Sequence, residues 1–317
     1  MNFRLEYVNC DLCRGDKYTN LFKARDYRFG RKEEYSVVKC NNCGLIYIDP
    51  RPTIESMLKF YGEDYTPENN LQILPKLETK RWKISLKKFW HRINGQYIDE
   101  IISKAEGKVL DVGCGNGYLL LPLKHKGCEV YGVEANPKSV NVCNKLGLKV
   151  FCGTLEESKF PDEFFNTVIL SQVLEHLLTP RASLREIFRI LKPGGKVFIY
   201  CPNASSYLRK LFGKYWHGWH IPFHFYAFTQ QTIKKLAESA GFKIEDIFTV
   251  TPDNFFTVSV KSHLYSRNYA KRDYRPIDKG KFLDSLVLRA FISAGLRILD
   301  FVTPNKGDCL KVKLVKR

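Results

Sequence analysis

The sequence predicts an α/β protein with a doubly wound, mostly parallel sheet and a small cysteine-rich unit before it. After residue 108, short apolar runs alternate with helical patterns, which is the order of strands and crossover helices in a parallel sheet. The first run leads into three closely spaced glycines, as in ligand-binding turns between a strand and a helix. Two C-x-x-C pairs near the N-terminus predict a separate metal-binding unit.

The composition indicates a globular protein with a basic surface. The chain has 317 residues, 44% of them hydrophobic, and a net charge of +18. This charge favours nucleic acid, phosphorylated small molecules or anionic lipid as partners, although a solvated lysine-rich surface explains it equally well. Because neither a signal sequence nor a transmembrane run is visible, we expect a cytoplasmic protein, with association at the inner face of the membrane left open. In that compartment the ten cysteines are thiols or metal ligands, not disulfides.

The two cysteine pairs are Cys10 with Cys13 and Cys40 with Cys43, separated by 26 residues. Each pair can form a tight turn with both thiolates directed at one ion, and four sulfur ligands suit a tetrahedral Zn²⁺. A redox dithiol is the alternative, but it would need one pair at the start of a helix. The pattern resembles a zinc ribbon, whose closed site supports folding and not chemistry.

The segment that follows predicts a helical linker or cap over residues 53–105. Thr53 is placed to cap a short helix, and residues 62–80 are polar and broken by prolines, as in a linker or mobile cover. Residues 80–105 show a helical pattern in which basic and aromatic side chains alternate. Such a helix could bind nucleic acid or phosphate, but an amphipathic helix with a solvated basic face is more common.

The glycines Gly113, Gly115 and Gly117 follow a short strand at residues 109–112. Asp111 lies inside that strand, where its carboxylate would repel the pyrophosphate of a dinucleotide. It would instead suit a ligand with cationic sulfonium and amino groups. The run D-V-G-C-G-N-G therefore resembles motif I of the class I S-adenosylmethionine (SAM) methyltransferases.

Further strands are predicted along the chain, at residues 129–133, 148–152, 165–170, 196–200, 243–250 and 254–260, with a final antiparallel strand at 307–315. Helices are predicted from residue 119 and at 139–146, 184–191 and 229–241. Glu134 ends the second strand of the sheet, 23 residues after Asp111. At about this spacing a carboxylate contacts the ribose hydroxyls of a bound nucleotide.

The resemblance to the class I SAM methyltransferases extends over roughly residues 105–250. It includes the run L-S-Q-V-L-E-H that ends at His176, the run L-K-P-G-G that ends at Gly195, and the Pro-Asn pair that ends at Asn203. The resemblance implies a Rossmann-like, mostly parallel seven-stranded sheet with an antiparallel last strand. The chain is also similar to bacterial methyltransferases with an N-terminal zinc-binding region, many associated with deoxysugars, surface polysaccharides and natural products.

These resemblances imply three domains. They are a zinc ribbon at 1–52, the helical linker at 53–105 and a methyltransferase domain at 106–317, with a lid at 203–228 and a helical insertion at 266–303. They also imply SAM as methyl donor, held by glycine backbone, by Asp111 at the amino group and by Glu134 at the ribose. The implied cofactor residues are Asp111, Gly113, Cys114, Gly115, Gly117, Glu134, Ala135, Gly153, Thr154, Leu155, Ser171 and Gln172.

A general base is expected among the histidines, because a methyl acceptor often has to lose a proton and imidazole titrates near neutral pH. His224 and His220 are the first candidates, since they lie in the aromatic run 215–226 where the family builds its acceptor pocket. His176, just after the fourth strand of the sheet, is the third. The alternatives are that His217, His220 and His224 bind a metal, or that the aromatic residues only pack the lid.

The last predicted helix, residues 281–302, has a broad apolar face and a narrow polar one. Burial against the sheet is the usual outcome for such a face. The alternatives are contact with a membrane surface or a dimer seam.

We therefore expect SAM-dependent methyl transfer to an oxygen or carbon of a small molecule. The expected acceptor is an anionic or sugar-like compound: a sugar, nucleotide-sugar, lipid-linked saccharide or natural-product intermediate. One rival is an RNA methyltransferase that uses the basic zinc ribbon, whose binding would weaken steeply with salt. The other is a non-catalytic SAM-fold module that binds a partner. No specific nucleic acid is expected, because the aromatic and histidine-rich run fits a small molecule better.

Overall fold

A computed structural model describes residues 4–27, 33–57, 98–266 and 286–317. The predicted cover at 62–80, most of the predicted helix at 80–105 and the first residues of the predicted helix at 281–302 lie outside these ranges. Residues 54–57 are helical directly after Thr53, as the capping pattern predicted. The Thr53 hydroxyl accepts a hydrogen bond from the Ser56 amide at 3.4 Å, which is a usual cap geometry.

The main sheet has seven strands, which are β6 (Lys108–Val112), β7 (Glu129–Glu134), β8 (Lys149–Cys152), β9 (Phe165–Ser171), β10 (Leu191–Pro202), β12 (Lys243–Val250) and β13 (Cys309–Val315). Their order across the sheet is β12-β13-β10-β9-β6-β7-β8. Five strands run parallel in its centre and on one side, and β13 lies antiparallel between β10 and β12. This confirms the predicted α/β Rossmann-like sheet with an antiparallel last strand.

Helices connect these strands, and their termini follow the local sequence. Asn136 caps one helix by accepting from the Lys138 amide, and Thr229 forms a capping box with Thr232 at another. The helices are α1 (Ile98–Lys104), α2 (Leu120–His125), α3 (Pro137–Lys145), α4 (Pro180–Ile190), α5 (Tyr207–Phe212), α6 (Gln230–Ser239), α7 (Asp253–Ser266) and α8 (Leu286–Val302).

The cysteine-rich unit contains β1 (Leu5–Glu6), β2 (Tyr18–Arg25), β3 (Glu34–Cys40), β4 (Ile46–Ile48) and β5 (Arg51–Pro52). Strands β2, β3 and β4 form an antiparallel sheet, and β1 pairs with β5. The sheet takes its fourth strand, β11 (Tyr226–Ala227), from the far end of the lid. The first 52 residues and the lid therefore share one sheet.

The prediction of a strand at residues 254–260 is wrong, because these residues form helix α7. Phenylalanine, threonine and valine favour strands by composition, but tertiary contacts override that preference. Phe255 packs against Trp216, with 6.2 Å between ring centroids, and Ser259 Oγ accepts from the His217 amide at 2.9 Å. Helix α7 is thereby fixed against the lid.

The expected burial of the apolar face of α8 is also wrong. Phe291 is 73% and Phe301 86% exposed, whereas Ser293 is buried. The polar side packs inward because it satisfies backbone groups at the end of β12: Asp300 Oδ2 accepts from the Thr251 amide, and the Arg297 guanidinium donates to the Thr251 carbonyl. In the parts of the chain that the structure describes, no helix has both the length and the hydropathy needed to cross a bilayer.

Candidate active site

The glycine turn follows β6 at the carboxyl edge of the sheet. Gly113, Gly115 and Gly117 all have left-handed backbone conformations, with φ of 67°, 53° and 78°. A side chain at Gly113 would also collide with Val173, since its Cβ would lie 2.6 Å from a valine methyl carbon. At Gly115 no atom lies within 4 Å of that position. The turn is therefore crowded at its base and open at its middle, where a ligand can approach the backbone.

Glu134 lies beside this turn at the end of β7. Its carboxylate accepts hydrogen bonds from the Gly115 amide at 2.9 Å and from the Asn136 amide at 2.8 Å. Both oxygens retain a second acceptor position, because a carboxylate has about four. The residue is thus held in place to accept from a pair of hydroxyl groups, as a ribose presents.

Asp111 is buried inside β6, and three effects raise the pKa of its carboxyl well above the usual range. The largest is burial, followed by the negative charges of Glu134 and the Cys143 thiolate. A cationic group bound between Asp111 and Glu134 would offset the cost of burying the Asp111 carboxylate and its repulsion by Glu134. The two acids and the left-handed glycines therefore fit a ligand that combines an ammonium or sulfonium group with a ribose, as SAM does.

The other predicted cofactor residues are distributed along the same edge. Cys114 has a buried side chain and an amide bonded to the Val133 carbonyl, so it shapes the turn from inside. Gly153 donates its amide to the Glu134 carbonyl at 3.0 Å, which places β8 and its loop next to that acid. Ala135 and Thr154 are exposed and Leu155 is buried. Ser171 ends β9, and Gln172 directly after it has a φ of 56°.

The segment after β9 carries a buried carboxyl group. Residues 174–176 form a single 3-10 turn, and Glu175 within it is 0% exposed. Among the described residues, no group on another residue hydrogen-bonds to either of its carboxylate oxygens. Burial raises the pKa of Glu175 to about 8. Val173, two residues before Glu175, lies where a side chain at Gly113 would point, so the segment that carries Glu175 begins next to the glycine turn.

Two histidines lie next to Glu175, and a third packs against one of them. The His176 and His224 rings meet edge to face with centroids 4.5 Å apart, and the His220 ring lies 5.0 Å from that of His224. The Nε2 atom of His224 is 3.9 Å from Glu175 Oε1. The structure therefore brings together all three histidines that the sequence proposed as bases. His217 is further out, with its ring 6.2 Å from that of His220.

The protonation of this cluster follows from its backbone contacts. His224 Nδ1 lies 2.8 Å from the Gly218 carbonyl oxygen, which can only accept, so Nδ1 carries the proton and Nε2 is the basic nitrogen of the neutral ring. His176 donates to the Phe223 carbonyl, and burial lowers its pKa to about 4. The His176 ring is therefore neutral at neutral pH, and each of the two rings is held by a backbone carbonyl.

The aromatic side chains of the lid lie mainly in the interior. Trp216 and Trp219 are buried, and their indole N–H groups donate to Asp308 and to the Gly213 carbonyl. Phe223 and Phe225 are buried as well. These rings hold the lid in place, so packing of the lid explains most of the aromatic run.

Two groups of side chains in the described ranges have the geometry of metal ligands. The Sγ atoms of Cys10, Cys13, Cys40 and Cys43 lie within 4.8 Å of one another. The second group consists of Glu175, His176 and His224, whose ligand atoms also lie within 4.8 Å. The sequence identified the first group by its spacing. It missed Glu175 because the acid and His224 lie 49 residues apart and meet only in the folded chain.

Comparison with known proteins agrees with this geometry. Residues 87–247, just over half of the chain, match the model of a family described as "Methyltransferase domain". A ubiquinone biosynthesis O-methyltransferase of Pseudomonas fluorescens is 30% identical over 173 residues, which are 50% of this chain and 74% of the relative. Another from Aeromonas salmonicida is 29% identical over 50% of this chain and 73% of its own length. A solved SAM-dependent methyltransferase from Archaeoglobus fulgidus has a TM-score of 0.48 at 20% identity, covering 75% of this chain and 100% of that one.

Proposed function

Because the chain belongs to this methyltransferase family and is a SAM-dependent methyltransferase, we propose that it methylates an oxygen atom of a small molecule. The observation that carries the proposal is the cluster of Glu175, His176 and His224 beside the glycine turn. A hydroxyl acceptor needs a general base beside it, because a hydroxyl is a weak nucleophile until its proton is removed. The names of the relatives, which are O-methyltransferases, favour oxygen over carbon.

The chain's own residues would hold SAM at the carboxyl edge of the sheet. Asp111 and the backbone of Gly113 to Gly117 would bind its amino-acid part, and Glu134 would accept from the ribose hydroxyls. Leu155, after β8, would pack against the adenine. SAM supplies the chemistry, an electrophilic methyl group on a sulfonium, so the protein has to position the acceptor and remove its proton.

We propose that His224 is the base. Its Nε2 is the basic nitrogen of the ring because Nδ1–H is held by Gly218, and this bond also fixes the ring plane. After His224 accepts the proton, the positive charge of the imidazolium favours the ionised form of Glu175, 3.9 Å away, and that carboxylate stabilises the imidazolium in return. The His176 ring packs edge to face against the His224 ring.

The same three side chains could instead bind a divalent cation. Both histidines have one ring nitrogen fixed by a backbone carbonyl, which is the usual orientation of metal-binding imidazoles. The bound cation would balance the negative charge of the buried Glu175 carboxylate. A cation bound here would activate the acceptor oxygen by lowering its pKa, so the proposed reaction is unchanged.

The acceptor is proposed to be a hydroxyl-bearing compound, either a sugar derivative or a phenolic intermediate. The sugar class comes from the resemblance to bacterial enzymes with zinc-binding N-termini, and the phenolic class from the names of the relatives. The net charge of +18 favours an anionic compound in either class. Release of S-adenosylhomocysteine (SAH), measured with a panel of catechols and nucleotide-sugars, tests the proposal. If the enzyme methylates amines or RNA but none of the hydroxyl compounds, the proposal is overturned.

We also propose that the four cysteines bind one structural Zn²⁺. Their sulfur atoms already approach one another, with 3.4 Å between Cys10 and Cys43 and between Cys13 and Cys40. Four mutually close thiols fit tetrahedral zinc better than a redox pair, which uses two. A closed Cys₄ site leaves no position for substrate, so its role is to fold the unit.

Replacing Cys40 by serine is expected to remove the zinc and lower the melting temperature by about 5–10 °C, because metal binding and folding are coupled. The matched control is Cys152→Ser at an exposed cysteine, which should change neither. Elemental analysis of the purified protein and thermal unfolding are the measurements. A total of one zinc ion per chain would mean that no metal occupies the cluster of Glu175, His176 and His224, which supports the mechanism in which His224 is the base. A second divalent ion that disappears in Glu175→Gln would indicate the metal-binding alternative, and full zinc in Cys40→Ser would contradict the Cys₄ site.

The exposed face of α8 is proposed to contact an anionic membrane surface. Phe291, Ile298 and Phe301 lie on one stripe of the helix and are all more than half exposed. The chain just before the helix is rich in basic residues, namely Arg267, Lys271, Arg272, Arg275, Lys279 and Lys281. An exposed apolar stripe that follows a basic stretch in the sequence, on a protein with net charge +18, fits the headgroup region of anionic lipid.

Flotation with vesicles tests this contact. We expect the protein to float with vesicles containing phosphatidylglycerol. Combining Phe291→Ser and Phe301→Ser should weaken this binding by at least about 100-fold, since each buried ring contributes roughly 1.5–3 kcal/mol and the two together about 3–6 kcal/mol. Leu211→Ser, at a leucine 69% exposed on α5, is the control and should have no effect. A protein that stays with the buffer, or that forms a dimer lost in the double variant, would contradict a membrane contact.

A further inference from the structure

The cysteine-rich unit contacts the start of helix α4, directly after the segment that carries Glu175 and His176. The N-cap residue of this helix, Thr179, makes no capping bond with its own side chain. Instead, Asp11 Oδ2 accepts a hydrogen bond from the Arg181 amide at 2.8 Å. Asp11 is 2% exposed and lies between Cys10 and Cys13. A carboxylate from the cysteine-rich unit thus caps a helix of the methyltransferase domain.

Arg51 makes a second contact from the same unit. It is 7% exposed, and its Nη1 donates to the Leu178 carbonyl at 2.8 Å and to the Tyr226 hydroxyl at 3.1 Å. The Tyr226 hydroxyl in turn donates to the Leu178 carbonyl at 2.9 Å. Leu178 is two residues after His176, and Tyr226 is two residues after His224. One guanidinium therefore binds both segments that carry the histidine cluster.

Backbone hydrogen bonds continue this connection. The Ile48 amide of β4 donates to the Phe225 carbonyl at 3.0 Å, and the Phe225 amide donates to the Glu175 carbonyl at 2.8 Å. The residue after His224 is thereby held between the cysteine-rich sheet and the Glu175 turn. A cavity of about 300 Å³, with Asp11, Arg51, Leu178 and Tyr226 in its wall, lies beside these contacts.

We propose that Asp11 and Arg51 are positioning residues that couple the four-cysteine site to the histidine cluster. The carboxylate of Asp11 points at α4 only while the turn from Cys10 to Cys13 is closed, and a bound Zn²⁺ would keep it closed. Metal binding and the placement of Glu175, His176 and His224 then stabilise each other. The coupling is reciprocal, as any linkage between two sites must be. This inference rests on the proposed function for its catalytic consequence, but the coupling itself can be measured without turnover.

Hydrogen exchange of the zinc-loaded full chain, followed by mass spectrometry, reads this coupling directly. Asp11→Ala should speed exchange in peptides covering residues 177–183, while peptides from β6 and β9 stay protected, which shows that the variant is folded. Asp11→Asn should restore most of the protection, because its amide oxygen can still accept from Arg181. Asp16→Ala is the matched control: this aspartate is exposed in the same loop and should change nothing.

Removing the metal with a chelator should give the same local increase in exchange in the wild-type protein and little further increase in Asp11→Ala. The loaded Asp11→Ala protein should keep its zinc and its KM for SAM but lose about 5- to 30-fold in kcat, as expected for the loss of a helix cap that holds catalytic groups.

Unchanged exchange at residues 177–183 in Asp11→Ala or after chelation would overturn the coupling. Loss of zinc in Asp11→Ala would also overturn it, because Asp11 would then be a support for the metal site alone. If exchange responds as expected but no hydroxyl compound is methylated, the coupling stands and the proposed function fails.

Discussion

Replacing His224 by asparagine is expected to lower kcat for methyl transfer by about 100- to 10,000-fold, the usual contribution of a general base. The asparagine amide can still donate to the Gly218 carbonyl, so the lid should keep its fold while the base is lost. SAM affinity should be unchanged, since the predicted cofactor contacts are made by β6, β7 and the glycine turn. The measurement is SAH release at saturating SAM, with calorimetry of SAM binding beside it.

The control for this variant is His125→Asn, a substitution of the same kind at an exposed histidine that ends α2. It should leave kcat unchanged. Glu175→Gln should resemble His224→Asn, because glutamine cannot ionise to stabilise the protonated ring 3.9 Å away. Full activity in His224→Asn would refute its assignment as base and leave His220 and His176 as candidates.

Replacing Glu134 by glutamine is expected to weaken SAM and SAH binding by about 10- to 150-fold, which corresponds to the roughly 1.5–3 kcal/mol of hydrogen bonds to a charged group. A glutamine has one acceptor oxygen, so it cannot serve both the Gly115 and Asn136 amides while also accepting from a ribose. Calorimetry with SAH measures the change directly. The value of kcat at saturating SAM should change little, because the acceptor side of the site is untouched.

Glu129→Gln is the matched control, because this exposed glutamate begins the same strand, β7, at its opposite end. It should bind SAH as the wild-type protein does. Equal loss of affinity in both variants would show that the effect comes from the charge of the strand and not from a contact with the ligand.

The cofactor edge of the site is the part that the sequence predicts best. The strand containing Asp111, the glycines and the acid ending the next strand are close in sequence, and each has a local physical reason. Left-handed turns require glycine, and acids at strand ends are recognisable by spacing. The structure confirms the sheet to which these residues belong, including its antiparallel last strand.

The acceptor side depends on contacts that no local pattern contains. Glu175 and His224 meet because Phe225 binds the Glu175 carbonyl on one side and strand β4 on the other. The sequence predicted three separate histidines but gave no reason to join them to Glu175, Asp11 or Arg51. Likewise, α8 turns its polar side inward because Asp300 and Arg297 satisfy the backbone of Thr251, which outweighs the usual burial of an apolar face.

The central claim is that the glycine turn and the histidine cluster form one active site, with the methyl donor between them. A crystal structure of the protein with SAH tests it most directly. We predict that Glu134 accepts from the ribose hydroxyls and that the sulfur faces His224 Nε2 across a space for one acceptor oxygen, with reacting atoms able to approach to about 3–3.5 Å. A sulfur atom directed away from Glu175, His176 and His224, or separated from them by protein, would contradict it.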